Sequence, residues 1–327
     1  MRSFRDLTPR PRWWPGALAL ALVLPLAGCA DGSERPDAPP ASSSPATRGA
    51  ADGVREELRV DGRTRAYLLH RPDADGPRPL VVAFHGRGSD AAGLREQSRL
   101  EKAAGRRGMI VVYPEGIDHG WGAGTRKTGQ RPDPGLDVRF TEALIEHLVR
   151  TEGADPRRVY VAGFSNGGSM ALRFAAERPG LLAGAASVSG QLPAGAAAVR
   201  PAGPVPVMVV YGADDPVRPL AGLPSPPPDP DEPILPSMSA RDSAEAFAAA
   251  GGAGEPVTEA EEGYDRTVWR LGGGPGGRAG AGTVQLLVVH GAGHTWPGSA
   301  VTPPKGFGPT SRALDATGTI LDFFAAG

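Results

Sequence analysis

Two rhythms of apolar and polar positions run along this chain. Short, nearly unbroken apolar runs recur near residues 80–85, 109–113, 158–162, 184–189, 206–211 and 284–289. Runs of that length, rich in β-branched residues and bounded by Gly, Pro or Asp, predict strands buried on both faces, as a parallel sheet requires. Earlier, Val54–Val60 and residues 64–70 flank Asp61-Gly62, a two-residue hairpin signal, so the sheet is expected to begin antiparallel. Between the runs the period lengthens. Residues 137–150 place Val138, Ile145, Leu148 and Val149 on one helical face, and residues 311–324 do the same with Leu314, Thr317, Leu321 and Phe324. Strand and helix in alternation predict an α/β fold: an open, mostly parallel sheet with an antiparallel N-terminal hairpin and helices on both faces.

The candidate chemistry sits where one strand run meets a helical one. Val159-Tyr160-Val161-Ala162 leads into Gly163-Phe164-Ser165-Asn166-Gly167, a G-x-S-x-G pentapeptide. At so sharp a strand-to-helix turn the central residue is forced into a strained backbone, and its neighbours two before and two after must be small. Ser165 is therefore the candidate nucleophile, and the Asn166 N–H, at a helix start, a candidate oxyanion donor. A second donor is expected after the run Leu80-Val81-Val82-Ala83-Phe84, in the turn His85-Gly86-Arg87-Gly88, from the Arg87 N–H. The run Val207–Gly212 ends at Asp214-Asp215, where an acid is expected. The last run ends at His290-Gly291-Ala292-Gly293-His294, where His294, farther from the strand end, is preferred to His290 as the base. The chain order Ser, Asp, His is then complete.

With these residues in place the chain resembles the polyhydroxybutyrate depolymerase-like and feruloyl esterase-like α/β-hydrolases, whose members include bacterial lipoproteins. The resemblance runs from about Val60 to Phe324. It rests on Phe84-His85-Gly86, Tyr113-Pro114-Glu115-Gly116, Asp137-Val138-Arg139-Phe140, Asp155-Pro156-Arg157-Arg158-Val159-Tyr160-Val161, Ser165-Asn166-Gly167-Gly168, Asp215-Pro216-Val217 and Gly293-His294-Thr295-Trp296-Pro297-Gly298. The register it implies, Tyr211-Gly212-Ala213-Asp214-Asp215-Pro216-Val217-Arg218-Pro219, selects Asp215 rather than Asp214 as the acid. Tyr211 stands where the family commonly has His, and Arg87 where the depolymerases often have Cys.

The N-terminus adds an address. Arg2, Arg5, Arg10 and Arg12 precede an apolar stretch at residues 17–25 that is too short to span a membrane and is flanked like a secretory signal. Leu26-Ala27-Gly28-Cys29 resembles a lipobox, in which the cysteine is acylated and becomes the first mature residue. Cys29 is the chain's only cysteine, so no intramolecular disulfide is available. Residues 1–28 thus read as a lipoprotein signal, 29–52 as a lipidated cysteine with a Pro/Ala/Ser-rich tether, and 53–327 as one esterase domain. The formal charge of the chain is −1; residues 1–28 carry four arginines and one aspartate, which leaves the remainder at −4 and argues against nucleic acid as a partner.

The expected protein is a membrane-anchored, extracytoplasmic serine carboxylesterase that hydrolyses short-chain, hydroxyalkanoate or aryl esters, with no metal or organic cofactor implied. Trp296 is a candidate substrate wall. For Trp121, a wall and a packed aromatic stand as equal readings. The proline-rich residues 216–239 cannot be regular helix or strand, and read either as the active-site rim or as a surface insertion. The glycine-rich residues 272–282 read as a hairpin connection rather than a phosphate cradle, since no Lys-Ser/Thr pair follows. A non-catalytic binding lipoprotein, or a peptidase or lipase on the same scaffold, is the alternative. Oligomeric state is not legible.

Overall fold

The computed structural model describes residues 53–225, 234–272 and 282–326. Its architecture follows from how one strand divides its side chains. In Arg78–Phe84, Leu80, Val82 and Phe84 enter one apolar core, while Val81 and Ala83 enter another on the opposite face. Successive strand residues point to opposite sides, so an unbroken apolar run requires a core on each face. Ile110–Pro114 and Val207–Gly212 divide in the same way: Val207, Val209 and Tyr211 lie on one side, Met208 and Val210 on the other.

In chain order the strands are β1 (Val54–Val60), β2 (Arg63–His70), β3 (Arg78–Phe84), β4 (Ile110–Pro114), β5 (Ala154–Phe164), β6 (Gly184–Val188), β7 (Val207–Gly212), β8 (Val257–Glu261), β9 (Tyr264–Arg270) and β10 (Thr283–Val289). They form one ten-stranded sheet in the order β1-β2-β4-β3-β5-β6-β7-β10-β9-β8. From β4 to β10 all neighbours are parallel, and the flanking pairs are antiparallel. Helices α3 (Leu136–Glu152), α4 (Asn166–Glu177) and α5 (Ala240–Ala250) cover the first core; α1 (Ala91–Ser98), α2 (Leu100–Gly105) and α6 (Ala316–Ala325) cover the second.

The strand order positions the site. β3 pairs with β4 on one side and β5 on the other, so the connections leaving β3 and β5 diverge. A crevice opens at the carboxyl ends of the strands where the order reverses, and ligands bind there in open α/β sheets. The loops after β3, β5, β7 and β10 carry the candidate residues.

The sheet has one hairpin more than the sequence pattern predicts. β8 pairs with β9 across Glu262-Gly263, with Glu261 opposite Tyr264 and Gly263 at φ +83°. Every residue of β8 is exposed, so it has no apolar alternation to read. Its Glu259 and Glu261 suit an unpaired sheet edge, which charge keeps from pairing with another chain. β9 and β10 pair antiparallel on either side of the glycine-rich segment, much of which lies outside the described residues.

The last helix is shorter than the expected 311–324 and begins at Ala316. Before it, the Ser311 carbonyl accepts from the Gly298 N–H at 2.9 Å, and the Ala316 N–H donates to the Pro297 carbonyl at 3.1 Å. Backbone that would continue the helix is tied to the neighbouring loop instead, and Leu314 is buried without being helical. The helix expected at 137–150 extends one residue earlier and two later, as α3. Among the described residues no helix is long and apolar enough to cross a membrane. The signal, Cys29 and the tether lie outside them.

Candidate active site

Ser165 stands between β5 and α4 with φ 54° and ψ −118°, a backbone that side chains rarely adopt. Such a conformation costs of order 1–3 kcal/mol and persists only where the surroundings over-determine it. Here they do. The Ser165 N–H donates to the Val188 carbonyl at 2.8 Å, and its carbonyl accepts from the Ser169 N–H at 2.9 Å. A Cβ on Gly163 would run into the Gly167 carbonyl, and one on Gly167 would run into the carbonyls of Phe84 and His85. The pentapeptide's glycines are therefore required by close backbone approach, and α4 packs directly under the loop after β3.

His294 reaches this serine from the loop after β10. Its Nε2 lies 2.8 Å from Ser165 Oγ and its Nδ1 lies 2.7 Å from Asp215 Oδ2. An ionised carboxylate can only accept, so the Asp215 contact places the ring proton on Nδ1 and leaves Nε2 to accept from the serine hydroxyl. The other carboxylate oxygen, Oδ1, accepts from the Val217 and Arg218 N–H groups at 2.9 and 2.8 Å. His294 and Asp215 are 2% and 5% exposed, so this line of hydrogen bonds is largely withdrawn from water. The imidazole is flanked by Phe164 and by Phe307, whose ring meets it edge-on at 5.2 Å. The Phe307 carbonyl also accepts from the His294 N–H at 2.6 Å.

The alternatives are placed elsewhere. His290 is half exposed and its Nε2 pairs with Asp265 at 3.1 Å. Asp214 is exposed. His85 is buried: its Nε2 accepts from the Gly116 N–H at 2.9 Å, so Nδ1 donates to the Gly86 carbonyl at 2.7 Å. Burial holds its pKa below the ordinary 6.5, in keeping with a neutral structural imidazole.

Across nearly its whole length the chain matches NocK of Nocardia uniformis subsp. tsuyamanensis, an esterase by name. The two are 39% identical over 95% of this chain and 97% of that protein. The chain belongs to the α/β-hydrolase esterase family. Residues 137–223 match the model of the Phospholipase/Carboxylesterase family. A partial relative is feruloyl esterase C of Emericella nidulans, 28% identical over 48% of this chain and 57% of that enzyme. The fold matches the acetyl xylan esterase of Aspergillus awamori with a TM-score of 0.55 at 17% identity, over 84% of this chain and all of that one.

In this α/β-hydrolase the cleft beside Ser165 and His294 has a volume of about 430 Å³. Arg87 and Asn166, the candidate oxyanion donors, both line it. A Cβ on Gly86 would stand 3.6 Å from Ser165 Cβ, so the turn after β3 closes against the serine. Asn166 opens α4, where the first N–H groups have no intrahelical partner and point toward the cleft end of the helix.

Two aromatic expectations fare differently. Trp121 lies away from the cleft, fully buried, with its Nε1–H donating to the His85 carbonyl at 2.8 Å and its ring edge-on to Phe84 at 5.0 Å. It supports the floor and walls nothing. Trp296 does reach the cleft, but it is 1% exposed and its Nε1–H donates to Thr317 Oγ1 at 3.0 Å. Of the expected rim, Val217, Arg218 and Ile234 line the cleft; residues 226–233 lie outside the described residues.

Sequence reasoning missed two parts of the site. One is the loop between Trp296 and α6, which contributes Val301, Pro303, Phe307 and Thr310 to the cleft. The helical period at 311–324 covers part of it and hides its turns. The other is the part played by Asp137, which the resemblance marks within Asp137-Val138-Arg139-Phe140 without giving it a role: fully buried, it accepts from Arg65 Nη2 and Arg131 Nε, each at 3.0 Å, and from the Gly122 N–H at 2.8 Å. Arg131 in turn donates to the carbonyls of Ile117 and Gly120. This network fixes the loop that carries Trp121. A signal was available: Asp137 falls on the helical stripe with Thr141, Leu144 and Leu148, where an acid needs a partner.

Proposed function

We propose that this protein is an exported, lipid-anchored serine ester hydrolase that works through a covalent acyl-enzyme. One observation carries the reading: Ser165, His294 and Asp215 lie in a single hydrogen-bonded line with spacings of 2.8 and 2.7 Å, beside an accessible cleft. In this reading Asp215 holds the imidazole in the tautomer whose Nε2 accepts the Ser165 proton. The alkoxide attacks the ester carbonyl. The Arg87 and Asn166 N–H groups stabilise the tetrahedral oxyanion, a donor of this kind typically contributing about 3 kcal/mol. His294 then passes the proton to the departing alcohol, and a water repeats the sequence to free the acid.

The substrate class follows from size and lining. A cleft of about 430 Å³ with Phe307, Ile234 and Val301 on its walls suits short-chain, hydroxyalkanoate or aryl esters better than long acyl chains. The feruloyl esterase among its partial relatives supports the aryl members of that class. The anchor reading rests on the apolar stretch at residues 17–25 and on Leu26-Ala27-Gly28-Cys29.

A fluorophosphonate probe tests the chemistry. Wild-type protein should be labelled and should hydrolyse 4-nitrophenyl acetate, and Ser165→Ala should do neither while keeping its unfolding temperature. An unlabelled, inactive wild type would favour a binding protein on a hydrolase scaffold. The address is separate: Cys29→Ser should shift the protein out of the membrane fraction or leave it unprocessed.

A further inference from the structure

A buried cation lines the cleft. Arg218 is 6% exposed, and its Nε and Nη2 are buried with no hydrogen-bond partner among the described residues. Among the described residues Asp215 acts on its charge, but the Asp215 oxygens are already taken by His294 and by the Val217 and Arg218 N–H groups. The Tyr211 hydroxyl donates to the Arg218 carbonyl at 2.9 Å, which fixes the backbone and does not engage the guanidinium. Burial lowers the Arg218 pKa, while Tyr211 and Asp215 pull it back up. Thr310 Oγ1, which also has no hydrogen-bond partner among the described residues, belongs to the cleft wall as well. The two loops abut: a Cβ on Gly308 would stand 3.7 Å from Pro216 Cδ.

Buried polar groups in folded proteins are almost always hydrogen-bonded, and an unpaired buried charge costs several kcal/mol. A guanidinium that pays this cost in the wall of the cleft that also holds Ser165 is preorganised for an anion. Its planar fork matches a carboxylate, which it binds through two parallel N–H donors.

We infer that the natural substrate is an ester carrying a free carboxylate, which Arg218 binds in the cleft with Thr310 as a second polar contact. The inference rests on the ester-hydrolase reading above and narrows its substrate class. Arg218 then acts as a specificity residue: a neutral ester leaves the guanidinium buried and unpaired, and an acidic ester satisfies it. Sites built around a buried polar group reject analogues that lack its partner strongly.

Two substrate pairs with the same carbon skeleton, differing in carboxylate against methyl, test this, one for each half of the ester. Mono(4-nitrophenyl) glutarate against 4-nitrophenyl valerate places the carboxylate in the acyl half. Acetylated 4-hydroxybenzoate against acetylated 4-methylphenol places it in the alcohol half. In at least one pair, wild-type kcat/KM should favour the acid by roughly tenfold or more. Arg218→Met should remove that preference, and Arg218→Lys should restore part of it. Equal or reversed preference in both wild-type pairs overturns the inference, as does an Arg218→Met variant in which acid and neutral esters fall by the same factor. The wild-type ratios decide the matter even where Arg218→Met fails to fold. Turnover of the neutral esters reads the hydrolase itself, so loss of every substrate in the wild type would defeat that earlier reading and be recognised as such.

Discussion

Asn166 and Trp121 exchange a reciprocal pair of hydrogen bonds: the Trp121 N–H donates to Asn166 Oδ1 at 2.7 Å, and Asn166 Nδ2 returns a bond to the Trp121 carbonyl at 3.2 Å. A third bond runs from Nδ2 to the Ala123 carbonyl at 2.8 Å. The residue after the nucleophile thus does two jobs with separate atoms. Its side chain clamps the loop that carries Trp121 onto the elbow, and its backbone N–H is the proposed oxyanion donor.

Asn166→Ala should therefore lower stability and turnover together. It leaves the Trp121 N–H and the Ala123 carbonyl without their partner, the Trp121 carbonyl keeping a bond from Thr125 Oγ1, and an orphaned buried group costs about 1–3 kcal/mol. Thermal unfolding should show a clear drop in midpoint, and kcat a fall of roughly tenfold or more as the donor loses its fixed position. An unchanged midpoint would mean that the clamp is replaceable by water.

The two acids and two histidines give a sharper contrast. Asp215→Asn presents the wrong hydrogen-bond partner to His294 Nδ1, so kcat should drop by orders of magnitude, toward the ~10⁴ seen for such a change in a serine triad. His294→Ala should be similarly severe. Asp214→Asn and His290→Ala change exposed groups outside the hydrogen-bonded line, so stability should move by no more than about 0.5 kcal/mol and kcat should stay within about twofold. Parallel rates of ester hydrolysis for the four variants check this. Comparable losses at Asp214 and Asp215 would contradict the assigned register.

Much of this site is legible in the sequence because backbone geometry imposes it. Gly163 and Gly167 are dictated by carbonyls that no Cβ could pass, and the apolar runs of β3, β4 and β7 by cores on both faces. Periodicity is silent where burial is not its cause. β8 is exposed along its length, so only its pairing to β9 makes it a strand. The wall around Phe307 is a run of turns held by bonds such as that between His294 and the Phe307 carbonyl, which no local pattern encodes. Trp121 was ambiguous because composition cannot say which way an indole faces.

Stability should decline as pH falls below about 6.5. His85 and His70 are both held below their ordinary 6.5 by burial. Between the lowered folded value and 6.5 the unfolded chain binds more protons than the folded one, so unfolding becomes easier as acid is added. The loss should be confined to the region below 6.5. Glu56 acts in the same direction at lower pH: its partners Arg71 and Tyr67 outweigh its burial and hold it below 4.5, so its contribution fades as it protonates. Denaturant unfolding at pH 7.5 and 5.5 should give a lower free energy at 5.5; equal values would contradict a buried neutral His85.

Phe307, rather than Trp296, should set the preference for aromatic esters. Trp296 is 1% exposed and bonded through its Nε1–H to Thr317, so Trp296→Ala removes a core side chain. A buried Trp→Ala change costs about 3–5 kcal/mol, and the resulting activity loss should be common to acetyl and aryl esters. Phe307 stands edge-on to the His294 ring and lines the cleft, where an aryl group of the substrate can pack against it. Phe307→Leu keeps an apolar side chain and the backbone bond to His294, and removes only the ring. An aromatic pair contributes about 0.5–1.5 kcal/mol beyond area burial, so kcat/KM for feruloyl-type esters should fall about two- to tenfold while acetyl esters change little. Paired kinetics on methyl ferulate and 4-nitrophenyl acetate, with unfolding midpoints for both variants, separate the two effects. A selective loss in Trp296→Ala with an unchanged midpoint would return the wall to Trp296.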